Sequence, residues 1–80
     1  RQVEADLATE QGVQQLLEAV GDRPVDVLVA NAGHGLGHAF LEQEPRDWRH
    51  VIDTNVTGTL LLIQPIAKKM VAHGEGRILI

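Results

Sequence analysis

Apolar residues near the start of the chain recur with the spacing of one face of an α-helix. Between Thr9 and Gly21 they occupy positions i, i+3, i+4 and i+7, namely Val13, Leu16, Leu17 and Val20. This spacing predicts an amphipathic helix. Thr9 is a suitable N-cap because its hydroxyl can accept a backbone N–H, and Gly21 is a suitable stop because glycine readily adopts the left-handed conformation.

A second, longer helix is predicted over Pro45–Ala72, a range that begins with the residue best suited to a first helical turn. The apolar positions that follow at helical spacing are Trp48, Val51, Ile52, Val56, Leu60, Ile63, Ala67 and Met70. Pro65 lies inside this pattern and cannot donate to the carbonyl of Leu61, so a kink is expected near it. Gly74 is predicted to end the helix.

Three segments are predicted to be β-strands. Val25–Ala30 is an apolar run rich in β-branched residues, as in buried parallel strands, and Gln2–Ala5 and Arg77–Ile80 flank the two helices. Asn31–Glu44 is a loop of a length that is more typical of functional loops than of simple connections. The order strand, helix, strand, helix, strand predicts an α/β fold with a parallel sheet and crossover helices.

Composition and charge narrow the partners that the chain can have. The net charge is −4, from 11 acidic and 7 basic residues, so a basic face for nucleic acid is not expected. No run approaches the roughly 18 consecutive apolar residues of a membrane span, so no membrane partner is expected. The chain has no cysteine, which excludes disulfides and is compatible with the cytoplasmic location that we expect.

Two motifs occupy places where α/β folds bind ligands. Asn31-Ala32-Gly33 directly follows the predicted strand Val25–Ala30, and ligands of open α/β sheets bind outside the carboxyl ends of strands. Asn55 and Gly58 form an Asn-x-x-Gly sequence within the helix that follows. A strand, Asn-Ala-Gly and Asn-x-x-Gly in this order resemble the short-chain dehydrogenase/reductase family over nearly all 80 residues.

The resemblance implies a fold and an activity. The fold would be a Rossmann-like doubly wound parallel sheet, and residues 1–80, with ends that look truncated, would be the central part of one dinucleotide-binding domain. The activity would be hydride transfer between the nicotinamide of NAD or NADP and a small carbonyl or alcohol substrate. Relatives often form homo-oligomers through the long helix, so Pro45–Ala72 is expected to line an interface.

The resemblance also assigns site residues. Asp6 would accept from the adenine amine while the backbone N–H of Leu7 donates to a ring nitrogen. Asn31-Ala32-Gly33 would pass beside the adenosine ribose. The backbone carbonyl of Asn55, the candidate catalytic residue, would hold a water in a proton relay. The family's catalytic Tyr, Ser and Lys are expected after Ile80, and the 80 residues alone are therefore expected to be inactive.

Other interpretations of the same residues stay open. The chain could be a non-catalytic nucleotide-binding or dimerisation module, or part of a flavodoxin-like fold that matches the motifs by chance. The glycine-rich loop Gly33–Gly37 is not expected to bind phosphate, because no predicted helix begins directly after it. His34 and His38 are not expected to bind a metal, and His50 is interpreted as a solvated helix position.

Overall fold

The computed structural model describes residues 2–80 and contains three α-helices and a two-stranded parallel sheet. The helices are α1 (Glu10–Val20), α2 (Pro45–Ile52) and α3 (Gly58–His73), and the strands are β1 (Val27–Val29) and β2 (Arg77–Leu79). A π-helical turn, Asp53–Thr57, joins α2 to α3, and a 3-10 turn, Phe40–Glu42, lies in the loop before α2. The α/β class and the crossover arrangement are as predicted.

Both ends of α1 are capped as the sequence predicts. The hydroxyl of Thr9 accepts the N–H of Gly12 at 2.9 Å, and Gly21 closes the helix with φ +59° and an N–H donated to Leu17. Two cations cover the C-terminal carbonyls, because Arg23 donates to Ala19 and Val20 while Lys69 donates to Gly21. Cations at this end of a helix offset its partial negative charge.

The sheet is shorter than the apolar runs suggested. β1 pairs with β2 in parallel, with Leu28 opposite Ile78, and covers only the centre of the predicted Val25–Ala30 strand. The predicted strand Gln2–Ala5 is not present: these residues enter no ladder with the described strands. A strand requires a neighbour to take its backbone groups, and within residues 2–80 no such neighbour lies beside residues 2–5.

The predicted long helix is divided by a change of hydrogen-bond register. Within the π turn the N–H of Gly58 donates to the carbonyl of Asp53, five residues back, and Asn55 lies in the middle of this turn. Helix α3 then continues through Pro65 and ends at Gly74, which has φ +90°. Within residues 2–80, no helix is long and apolar enough to cross a bilayer.

The core is a small cluster where α3 lies against α1. Its buried apolar residues are Val13, Leu62, Ile66 and Met70. The last three recur every four residues along α3, as one stripe of a helix does. This stripe differs from the predicted apolar face, since Val56 and Leu60 remain 51% and 61% exposed. The π turn and α3 together are therefore apolar on two faces. Within the described residues, α1 covers one of these faces and the other stays exposed.

Candidate functional site

Asp6 and Leu7 form a tight turn that leads into α1. The Asp6 carboxylate accepts the N–H of Ala8 at 3.0 Å through Oδ1, and the Asp6 carbonyl accepts both the N–H and the hydroxyl of Thr9. Such a turn holds the carboxylate in one orientation. Within residues 2–80, Oδ2 of Asp6 and the N–H of Leu7 make no hydrogen bond. One acceptor of Asp6 and one donor of Leu7, neighbours in sequence, thus have no partner within the described residues.

Two glycines allow this turn to lie between α1 and α3. A Cβ on Gly12 would overlap the carbonyl of Asp6, and a Cβ on Gly58 would overlap the carbonyl of Leu7. Any side chain at either position would have to displace backbone atoms, since the atoms met belong to the main chain. The close contact of α3 at Gly58 is thus with the Asp6–Leu7 turn, and the equivalent role of Gly12 was not foreseen.

A cavity of about 140 Å³ lies between this turn, the carboxyl end of β1 and α3. Leu7, Asn31 and Ala32, three of the predicted cofactor-binding residues, contribute to its wall together with Thr54 and Gly58. The structure therefore brings together residues that are widely separated in sequence. Asp6 is adjacent to this wall without lining it, and no hydrogen bond of the Asn31 side chain is present within residues 2–80.

Asn55 holds the loop that follows β1. Its carboxamide Oδ1 accepts the N–H of His34 at 2.9 Å, and its Nδ2 donates to the carbonyl of the same residue at 2.8 Å. The side chain of Asn55 thus binds both the backbone N–H and the backbone carbonyl of His34. Gly33 makes this approach possible, because a Cβ there would lie 2.9 Å from Oδ1 of Asn55. Unlike Asn31 and Ala32, Gly33 does not line the cavity and lies against Asn55 instead.

His50 is a residue whose role the sequence interpretation missed. Its Nδ1 lies 2.9 Å from Nε2 of His34, and the two ring centroids are 4.8 Å apart. The prediction of a solvated helix position is confirmed, since His50 is exposed on α2, but the contact with His34 was not foreseen. Helix α2 places His50 beside the loop after β1, and no spacing in the sequence marks this contact, because it depends on how the loop folds back across α2.

The residues present fit the adenosine half of a dinucleotide. Asp6 and Leu7 offer an acceptor beside a donor, and small residues at the end of β1 leave room for a ligand near the backbone. The basic side chains of Arg23 and Lys69 lie at the opposite, C-terminal end of α1, where they bind backbone carbonyls. Nothing in this part of the chain forms a phosphate cradle at a helix N-terminus, so the fit concerns the adenosine end.

Comparison with known proteins identifies the family. The model of the short chain dehydrogenase family matches residues 1–80. The chain belongs to this family, which confirms the resemblance carried by Asn31-Ala32-Gly33 and Asn55. It spans about a third of the length of the first of the curated relatives that it matches.

Individual relatives are reductases. The chain is 37% identical over 79 residues to a 3-oxoacyl-[acyl-carrier-protein] reductase of Synechocystis, covering 96% of the chain and 32% of that protein. It is 39% identical over 67 residues to an acetoacetyl-CoA reductase of Paracoccus denitrificans, covering 84% of the chain and 27% of that protein.

A solved structure shows the same fold. L-sorbose reductase of Gluconobacter frateurii, in complex with NADPH and L-sorbose, superposes with a TM-score of 0.85 at 31% identity. The match covers 95% of the chain and 30% of that structure. The Rossmann-like fold is therefore confirmed, and the NADPH in this relative agrees with the predicted cofactor, NAD or NADP.

Proposed function

We propose that this chain forms the adenosine-binding and relay part of an NAD(P)-dependent oxidoreductase that acts on a small carbonyl or alcohol substrate. The observation that carries the proposal is the convergence of Leu7, Asn31 and Ala32 on one cavity at the carboxyl end of β1. Family membership supports it, because the relatives are named as reductases and dehydrogenases.

The cofactor would be held mainly by backbone and small side chains. Asp6 Oδ2 accepts from the adenine amine and the Leu7 N–H donates to the ring, since these two groups have no other partner within residues 2–80. Asn31-Ala32-Gly33 passes beside the ribose, where short side chains permit close approach. When bound, the dinucleotide supplies or accepts the hydride.

Asn55 would serve the proton relay through its backbone carbonyl. A π turn shifts the helical hydrogen-bond register by one residue, and such turns are frequent at functional sites. The position of Asn55 inside the turn Asp53–Thr57 supports the proposal that its carbonyl binds a water. Its carboxamide, which holds His34, would fix the turn relative to the loop beside the cofactor.

The experiment that tests this function uses the protein as its gene encodes it. Oxidation of NADH and NADPH is followed with acetoacetyl-CoA and with L-sorbose, compounds taken from the names of two relatives. We expect turnover with one dinucleotide and at least one carbonyl compound, and a fall of about tenfold or more in kcat for Asn55→Ala. Gln14→Ala, an exposed position on α1, is the control and should retain full activity.

Two outcomes of this experiment would contradict the proposal. Saturable binding of NADH or NADPH without turnover, across a wider panel of ketones and alcohols, would favour the non-catalytic nucleotide-binding module. Absence of both binding and turnover would exclude a nicotinamide dinucleotide as the ligand of this protein.

Self-association and location are further parts of the proposal. Val56, Leu60 and Val71 leave an apolar face of the helical segment exposed, as an interface between copies of the chain would require. A homo-oligomer through Pro45–Ala72 and a cytoplasmic location both stay predictions.

A further inference from the structure

Both the backbone and the side chain of His34 connect the loop after β1 to the helical segment formed by α2, the π turn and α3. Its backbone is bound by the Asn55 carboxamide, and its imidazole reaches both His50 and Thr54. Within the described chain, no other residue of the segment 31–37 has a side-chain-mediated hydrogen bond. The position of this loop therefore depends on His34. The contacts of its imidazole with His50 and Thr54 help to hold that residue in place.

The contacts of the Thr54 hydroxyl favour one distribution of protons over the two rings. Its single hydrogen is donated to the carbonyl of His50, at 3.0 Å. Toward Nε2 of His34, 3.4 Å away, the same oxygen can then only accept. One arrangement of protons satisfies both contacts of Nε2 of His34: this nitrogen carries the proton, and Nδ1 of His50, 2.9 Å away, accepts it. In that arrangement the proton of His50 lies on its own Nε2.

We propose that His34 and His50 are a pair of positioning residues, in which the imidazole bond holds the His34 backbone against the Asn55 carboxamide. The loop that would pass beside the ribose is thereby kept in its binding position. This inference rests on the proposed function, since it concerns the affinity for the dinucleotide. The hydrogen bond between the two imidazoles does not itself depend on a bound dinucleotide.

The direction of the bond can be tested with amide side chains. The terminal amide nitrogen of Gln coincides roughly with Nε2 of His, whereas the side-chain oxygen of Asn coincides roughly with Nδ1. His34→Gln should therefore keep the donor, and His50→Asn should keep the acceptor. His34→Asn and His50→Gln place their amides at the wrong reach and should lose the bond.

The first measurement is of the tautomers and needs no cofactor. Nitrogen-15 NMR of the imidazoles, in the protein as encoded by its gene, should show protonated Nε2 on both His34 and His50 and a bare Nδ1 on His50. His38 and His73 serve as internal references, since neither ring has a hydrogen bond within residues 2–80. A proton on Nδ1 of His50 would overturn the proposal.

The second measurement is the dissociation constant of NADPH or NADH, whichever binds. We expect His34→Asn and His50→Gln to weaken binding about three- to tenfold, the effect of one modest hydrogen bond, while His34→Gln and His50→Asn stay within about twofold of the parent protein. His73→Asn controls for loss of an exposed histidine. Equal affinities for the Gln and Asn variants at either position would refute the positioning role.

The two measurements separate this inference from the proposed function. If the parent protein binds no dinucleotide, the proposed function fails, whereas the tautomer measurement still decides whether the imidazole pair exists as described.

Discussion

The hydrogen bonds between Asn55 and the His34 backbone depend on the missing Cβ of Gly33. A methyl group there would lie 2.9 Å from Oδ1 of Asn55, which is closer than such atoms approach. The carboxamide could turn away only by giving up its bonds to His34, at 2.9 and 2.8 Å. A single hydrogen atom at position 33 is therefore a condition for the attachment of the loop.

Gly33→Ala tests this dependence. We expect the free energy of unfolding to fall by about 1–2 kcal/mol, from two strained or broken hydrogen bonds. Gly35→Ala is the matched control, because a Cβ at position 35 meets nothing within 4 Å, and its effect should stay within about 0.5 kcal/mol. Urea denaturation of both variants gives the comparison; like the other stability variants, they are made in the protein that the gene encodes. Equal stabilities would contradict the role assigned to Gly33.

At the scale of elements, α3 approaches the Asp6–Leu7 turn so closely that Gly58 faces the carbonyl of Leu7. Ala normally favours a helix over Gly by about 1 kcal/mol. Here the gain is outweighed, because the methyl group would meet backbone atoms that cannot rotate aside.

Gly58→Ala should therefore destabilise the protein by about 1–3 kcal/mol, as overpacked substitutions do. Gln64→Ala, on an exposed part of the same helix, should change stability by less than about 0.5 kcal/mol. The chemical denaturation midpoints of the two variants decide the matter. A stabilised Gly58→Ala protein would show that the turn yields and that the close contact imposes no constraint.

A second contact between elements joins α3 to the end of α1, where Nζ of Lys69 donates to the carbonyl of Gly21 at 2.6 Å. Lys69→Met should cost about 1 kcal/mol, from the lost bond and the lost charge at a helix C-terminus. Lys68→Met removes the same charge one residue away, where no hydrogen bond is present in the described part, and should cost less than about 0.5 kcal/mol. Indistinguishable thermal melts for the pair would refute the capping contact.

Elements whose limits depend on local chemistry could be predicted from the sequence. Thr9 and Gly21 bound α1 because capping is decided by the residue itself and its immediate neighbours. The π turn around Asn55 could not be predicted, since no residue type specifies a shift to i→i+5 hydrogen bonds. Gln2–Ala5 was wrongly predicted to be a strand, because a strand exists only with a partner.

The candidate site was predictable to a similar degree. Asn31 and Asn55 were recognisable because the order of strand, Asn-Ala-Gly and Asn-x-x-Gly resembles the family, and because an amide side chain is unusual within an apolar helix. The pairing of His34 with His50 was not, because it depends on how the loop folds back across α2. Contacts that depend on tertiary geometry carry no fixed spacing in the sequence.

At the scale of the whole molecule, the chain exposes more surface than its mass predicts. The accessible area is 6191 Å², whereas a folded chain of this mass exposes about 4,700 Å². Leu41 and Val71 are 94% and 81% exposed, and the buried apolar core is limited to Val13, Leu62, Ile66 and Met70. Burial on this scale gives little free energy to offset the conformational entropy lost on folding.

We therefore expect the isolated 80 residues to show no cooperative thermal unfolding and to aggregate or remain largely unfolded. Circular dichroism with analytical ultracentrifugation measures both properties. A sharp, reversible melt of a monomer would contradict this prediction and would show that the α1–α3 contact is sufficient for folding.

The central claim is that the Asp6–Leu7 turn and the end of β1 bind the adenosine half of a nicotinamide dinucleotide. Calorimetric titration of the protein encoded by the gene, with NAD and with NADP in both redox states, tests it most directly. We expect saturable binding of at least one of them, weakened about tenfold by Asp6→Ala, which removes the carboxylate acceptor and the turn it makes with Ala8. Binding that is absent, or that Asp6→Ala leaves unchanged, would contradict the account.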